Sequence, residues 1–159
     1  MKFFTMRWWL ECQNPPPVLG TPQTMPKTEA IDFPNQAYLQ HLAVIRERFP
    51  ADVLDINEQS VLHDGLLHEI RFDQASNSLT LAATVDDGSG WDRDVEFCYQ
   101  EVVSFRIVPW EGKPLPPRAG LGEMGYDELD VAPDGALVHR ILFNSGIEFD
   151  VQFRNIELR

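Results

Sequence analysis

From residue 66 onward, apolar and polar positions alternate with a period of two. His68, Ile70 and Phe72 alternate with Glu69, Arg71 and Asp73, and Leu79, Leu81, Ala83 and Val85 alternate with Thr80, Ala82 and Thr84. Val95, Phe97 and Tyr99 follow, then Val103, Phe105 and Ile107, then Leu137, His139, Ile141 and Phe143, and last Ile147, Phe149, Val151 and Phe153. A two-residue rhythm puts successive side chains on opposite faces of a strand, so each run predicts a half-buried strand. The phase slips after Phe153, where Ile156 and Leu158 resume it, and this predicts a bulge near Arg154-Asn155.

The separators carry turn chemistry. They are Ala75-Ser76-Asn77, Asp86-Asp87-Gly88-Ser89-Gly90, Pro133-Asp134-Gly135 and Asn144-Ser145-Gly146. The last two supply glycine where a tight turn needs positive φ. Connections this short join antiparallel neighbours, because a parallel crossover needs a dozen or more residues.

Before residue 66 the rhythm differs. Tyr38, Leu42, Ile45 and Phe49 recur at helical spacing, with Leu39 beside them, and predict one amphipathic helix over 34–49 that Pro50 stops. Gln40, Arg46, Glu47 and Arg48 fall on its wet side. Residues 1–11 carry Phe3, Phe4, Trp8 and Trp9, a density that favours a short strand over a helical turn. Residues 14–34 hold six of the twelve prolines and read as an extended connector. Residues 109–122, rich in proline and glycine, read as a long loop.

These elements predict a single α+β domain over 1–159: an aromatic start and Pro-rich connector (1–34), one N-terminal amphipathic helix (34–49) and a curled antiparallel β-sheet (66–159) of roughly six to eight strands. One short helix does not cover so wide a sheet, so the sheet curls into a barrel or folds into a sandwich-like pair. Apolar strand interiors send the carboxylates to the outer face and the loops.

Length and charge narrow the function. The 159 residues fit one domain. Net charge is −12, and it is uneven: residues 1–50 hold five basic and four acidic residues, residues 51–159 eight and 21. An acidic surface argues against nucleic acid or an anionic membrane as partner. The apolar runs are too short to span a bilayer, and Arg7 and Glu11 interrupt any signal-peptide core, which points to the cytoplasm. Cys12 and Cys98 form no CxxC pair and read as reduced thiols.

No motif marks catalysis. Gly120-Leu121-Gly122-Glu123-Met124-Gly125 spells G-x-G-x-x-G, but it follows prolines and precedes an acidic, strand-like stretch instead of a helix, so it reads as a loop. Asp86, Asp87, Asp92 and Asp94 lack EF-hand spacing and read as a solvated hairpin tip. His63 and His68 do not share a helical face; with Gly65 opening the strand, His68 shares the inward side with Ile70, while His139 is in phase with core residues. No G-x-S-x-G elbow is present, and Cys98 sits among Asp94, Glu96 and Glu101, negative neighbours that do not suit a thiolate nucleophile. The reading therefore assigns no catalytic residue, no metal site and no cofactor. The candidates for contact with a ligand or partner are His63 and Asp64, at the entry to the sheet, Trp91, Trp110 and Tyr126, and the acidic Asp127 and Glu128.

Several segments resemble a family of uncharacterised bacterial cytoplasmic proteins. They are Met1-Lys2-Phe3-Phe4-Thr5, Arg46-Glu47-Arg48-Phe49-Pro50, Leu62-His63-Asp64, and His139-Arg140-Ile141-Leu142-Phe143 with Ser145-Gly146-Ile147-Glu148-Phe149. The resemblance implies a small helix-plus-sheet protein, and some similar members are described as immunity partners of polymorphic toxins. It carries over no catalytic residue. The expectation is a non-enzymatic interaction module binding a basic protein, as a monomer or homodimer, with no nucleic acid and no membrane. Two alternatives stand beside it: a small-ligand binder or enzyme with a barrel-mouth pocket near His63, Asp64 and loop 109–122, and a homo-oligomer pairing through a sheet edge.

Overall fold

The computed structural model describes residues 2–13, 33–59, 61–86, 92–110 and 120–159. Its first element is a helix, α1 (Met6–Gln13), where aromatic density favours a strand. Thr5 explains the difference. Its hydroxyl accepts the Trp8 N–H (3.2 Å) and its carbonyl the Trp9 N–H (3.0 Å), so it acts as an N-cap. Phe4 and Trp8 then meet one turn apart with their rings tilted, centres at 5.6 Å.

The predicted helix is present as α2 (Phe33–Ile45) with a 3₁₀ turn at Arg46–Arg48. Tyr38, Leu42 and Phe49 are buried, as their spacing requires. It is not alone. Pro50 ends that helix and also starts α3 (Ala51–Glu58), which buries Val53, Leu54, Ile56 and Asn57. Proline suits a helix start because its missing N–H would have no partner there.

Eight strands follow: β1 (Leu66–Asp73), β2 (Ser78–Asp86), β3 (Asp92–Gln100), β4 (Ser104–Pro109), β5 (Met124–Val131), β6 (Leu137–Phe143), β7 (Ile147–Phe153) and β8 (Asn155–Leu158). They form two antiparallel four-stranded sheets, ordered β1-β2-β3-β8 and β4-β7-β6-β5. Gly135 and Gly146 take φ of 81° and 83° in the turns that need them.

The expected bulge at Arg154 is a corner at which the chain changes sheets. β7 becomes β8 there while β3 becomes β4 beside it. The Arg154 N–H donates to Gln100 (3.2 Å) and the Val103 N–H to Gln152 (2.7 Å). At the far side β1 meets the residue just before β5 in an isolated bridge, Leu66 to Glu123. The two sheets are not closed into a barrel.

Their inner faces share one core. Leu79, Leu81, Val85, Phe97 and Tyr99 of the first sheet pack with Ile141, Phe143, Phe149, Val151 and Phe153 of the second. Tyr99 meets Phe153 edge-on at 4.9 Å. Complete burial of each of these large side chains stabilises the fold by roughly 1.5–3 kcal/mol.

β1 departs from the simple alternation. A bulge between Leu67 and Glu69 takes His68 off the inner face, and its ring lies 3.8 Å from Asp94 instead. Ile70 and Phe72 keep the inner side, opposite Leu81 and Leu79, yet β1 is an edge strand and they remain 43% and 55% exposed. Among the described residues, no helix is long and apolar enough to cross a membrane. Most of the 14–34 connector, the Asp87–Gly90 turn and residues 111–119 of the long loop lie outside the described residues.

Candidate functional site

The sequence candidates separate into three places. His63 and Asp64 form the step into β1. Asp64 takes a left-handed backbone conformation (φ 66°), and its N–H donates to the Met124 carbonyl (2.8 Å), while the Met124 N–H donates to Gly65 (2.8 Å). These bonds pin the step to the start of β5. His63 Nδ1 lies 3.1 Å from the Asp64 carboxylate, and its ring meets Tyr126 edge-on at 5.0 Å.

His63, Tyr126 and Asp127 thus come together, across a recess that Tyr38 and Leu39 of α2, Asn57 and Glu58 of α3, Phe4 and Gly125 complete. Gly125 is part of the G-x-G-x-x-G string, which runs into a strand and not a helix. A Cβ at Gly125 would press on the Trp9 ring at 3.2 Å, so this glycine serves packing. The recess measures about 20 Å³, room for about one water.

Asp127 corrects the expectation that carboxylates stay outside. It points inward and is buried. Its Oδ2 accepts from Asn57 Nδ2 (2.6 Å) and lies 3.1 Å from His139 Nε2; His139 Nδ1 is 2.7 Å from the Tyr99 hydroxyl. A neutral imidazole protonated on Nε2 satisfies this line, accepting from Tyr99 and donating to Asp127. Burial, then the Asp127 charge, pushes the Tyr99 phenol well above its ordinary pKa, so it keeps its proton and donates.

Asn57 and Tyr38 also close the edge of β5. The Leu129 N–H donates to the Tyr38 hydroxyl (2.8 Å), which donates in turn to Asn57 Oδ1 (2.6 Å). Burial, then Asp127, raises the Tyr38 pKa as well. The periodicity of α2 marks Tyr38 as core, but nothing local marks its hydroxyl as the cap of a distant strand.

Glu128 occupies the second place. It lies on the outer side of β5, and it too is buried, because the N-terminal segment covers it. Oε1 accepts the Phe3 and Phe4 N–H groups (both 2.6 Å) and Oε2 accepts the Lys2 N–H (2.8 Å). Beside it Arg140 reaches Asp130 (3.1 Å) and Asp150 (3.2 Å), Arg106 reaches Asp150 (3.0 Å), and Lys2 Nζ reaches Asp130 (2.8 Å). His41 of α2 adds a bond to Asp130 (2.9 Å). Burial alone would raise the Asp130 pKa, but bonds from Lys2, the Val131 N–H and Arg140 outweigh it and hold it at about 2. Burial likewise opposes the Arg140 charge, and the same carboxylates overcome it and raise its pKa. Glu128, Asp130 and Asp150 are therefore matched by Lys2, Arg106 and Arg140 within the fold.

Trp110 is the third place. With Met6, Val108, Pro109 and Leu142 it lines a mainly apolar groove of about 280 Å³, whose polar members are Thr5 and Glu148. Trp91 lies outside the described residues. Cys98 faces outward beside Thr80 and is buried. No group of three or more metal-ligating side chains occurs among the described residues.

No protein-family model matches the chain, and no curated protein matches it.

Proposed function

We propose that the protein is a non-enzymatic interaction module that presents an acidic sheet face to a basic protein, in the manner of an immunity protein bound to its toxin. One observation carries this reading: the outer face of the first sheet is acidic and lies open. By their register, Glu69, Asp73, Asp86, Asp92, Asp94, Glu96 and Glu157 share that face, answered by Arg71 and Arg159. On the second sheet Glu128, Asp130 and Asp150 are matched by Lys2, Arg106 and Arg140, so among the described strand residues the less compensated acids lie on the first. A field of this kind speeds encounter with a cationic partner and weakens as salt rises. Asp127 and Glu128 drop out as contact residues, since both are buried and bonded within the fold. The immunity-type reading adds the segment resemblance given above.

The test is a pull-down from the native host at low and at physiological salt. The bait is the wild-type chain beside a D92K/D94K/E96K variant. A basic protein captured by the wild type and lost with the variant is the expected result. Failure to capture any basic protein at either salt concentration overturns the reading.

A further inference from the structure

We infer that two copies of this chain join through their β1 edges, antiparallel about a two-fold axis at Ile70, so that the two first sheets become one eight-stranded sheet. The starting point is which strand edges the fold leaves open. Tyr38 and Asn57 cap the β5 edge, and β8 lies against α3. β4 is open but ends on Pro109, and Arg106 is its only charge. Among the described residues nothing but β2 pairs with β1 along Glu69–Asp73, the regular stretch after its bulge, and every residue of that stretch is exposed. An open edge carries a row of unpaired backbone donors and acceptors, ready to pair with another strand.

Charge selects the register. In an antiparallel pair about a two-fold axis normal to the sheet, residues i and j sit opposite each other and i + j is even. Centring on Ile70 sets Glu69 against Arg71 of the second copy, twice. Centring on Arg71 sets that arginine against itself and Glu69 against Asp73. Centring on Glu69 sets two carboxylates together. Centring on Phe72 draws Gln74 and Ala75 into the ladder, where the Ala75 N–H is already committed to the Asp73 carboxylate at 2.9 Å. Only the Ile70 register pairs opposite charges and leaves the turn intact.

The same register covers the apolar surface that β1 leaves bare. Ile70 meets its copy on the inner side, and Phe72 reaches it diagonally, within the range of an aromatic side chain. Joining β1 to β1 uses the same patch on both copies and closes at two. Joining β1 to β4 would be head-to-tail, which gives rings or open filaments and not a closed pair. The pairing is independent of whether the acidic face binds a basic partner.

Sedimentation velocity on the full chain, over rising concentration, tests it. Four proteins are compared: wild type, E69R, R71E and E69R/R71E, each checked for folding by circular dichroism. The wild type forms a dimer. Each single variant sets like charges across both symmetric positions and weakens dimerisation by about ten-fold or more. The double variant exchanges the signs and returns to within about three-fold of wild type. Ile70→Cys, in addition, yields a covalent dimer on mild oxidation, because the register sets its two Cβ atoms directly opposite at about 4.5–5.5 Å, from which a small strand adjustment closes the bond. A wild type that stays monomeric at about 0.5 mM overturns the inference. So does a dimer indifferent to both single swaps, or a double variant no better than the singles.

Discussion

Replacing Glu128 by glutamine removes a charge and one acceptor while keeping shape. In the native protein Oε1 takes the Phe3 and Phe4 N–H groups at 2.6 Å, and Oε2 takes the Lys2 N–H at 2.8 Å with Arg140 at 3.9 Å. The best placement of the amide keeps its oxygen at the Oε1 position. The NH₂ then faces the Lys2 N–H and the Arg140 guanidinium, donor against donor. One charge-assisted bond is lost, and two weaken from roughly 1.5–3 kcal/mol towards the ~1 kcal/mol of a neutral bond. Arg140 keeps Asp130 and Asp150, which limits the damage on that side. Taken at the low end of those ranges, because Arg140 retains its other partners, the sum is about 3 kcal/mol. For a chain of this length that lowers Tm by roughly 6–12 °C. Urea unfolding followed by circular dichroism gives the free energy, and hydrogen exchange at the Phe3 and Phe4 amides shows whether the segment lifts locally before the sheets open. A loss under about 1 kcal/mol, with those two amides as protected as in the wild type, refutes the view that this carboxylate holds the N-terminus on the second sheet.

Three further outcomes follow from the same geometry. Tyr99→Phe leaves His139 Nδ1 buried without its donor and lowers stability by about 1–3 kcal/mol in urea titration, with the fold retained. Asp130 has a folded pKa of about 2 against 3.8 unfolded. Its contribution, roughly 2 kcal/mol, is therefore complete above the unfolded value and disappears as pH falls through the folded one; Asp130→Asn flattens the stability curve between about pH 4 and pH 2. Gly122→Ala places a Cβ against the Asn144 side chain at a φ of 73° and costs about 1–3 kcal/mol, read as a lower calorimetric Tm.

The parts legible in the chain were those governed by local rules. The two-residue rhythm located the strands other than β5, whose burial does not alternate, and glycines 135 and 146 located two turns, since a side chain's face and a positive φ are set within a few residues. The α2 stripe was read for the same reason. Other parts misled because a local signal had two readings. Four aromatics near the N-terminus favour a strand until Thr5 is recognised as a cap. Pro50 reads as a stop, yet a proline that ends one helix is well suited to begin another, and Val53, Leu54, Ile56 and Asn57 already carry the helical spacing of α3. The bulge at His68 shifts one ring to the other face, and nothing in the alternation announces it. At the candidate site, polarity and position in the chain single out His63, Asp64 and Tyr126. His139, Tyr99, Asn57 and Tyr38 are separated by up to about 100 residues of chain, and no spacing rule joins them.

By itself, then, the order of residues determined strand periodicity, turn positions and the concentration of negative charge after residue 50, because each depends on near neighbours or on simple composition. Tertiary structure alone decided which of those charges face water. Asp127 turns into the core beside His139, Glu128 and Asp130 are met by the N-terminal segment, and Arg106 and Arg140 answer Asp150. Burial of a carboxylate depends on what distant chain covers it, and the cations that make such burial tolerable come from wherever the fold brings them.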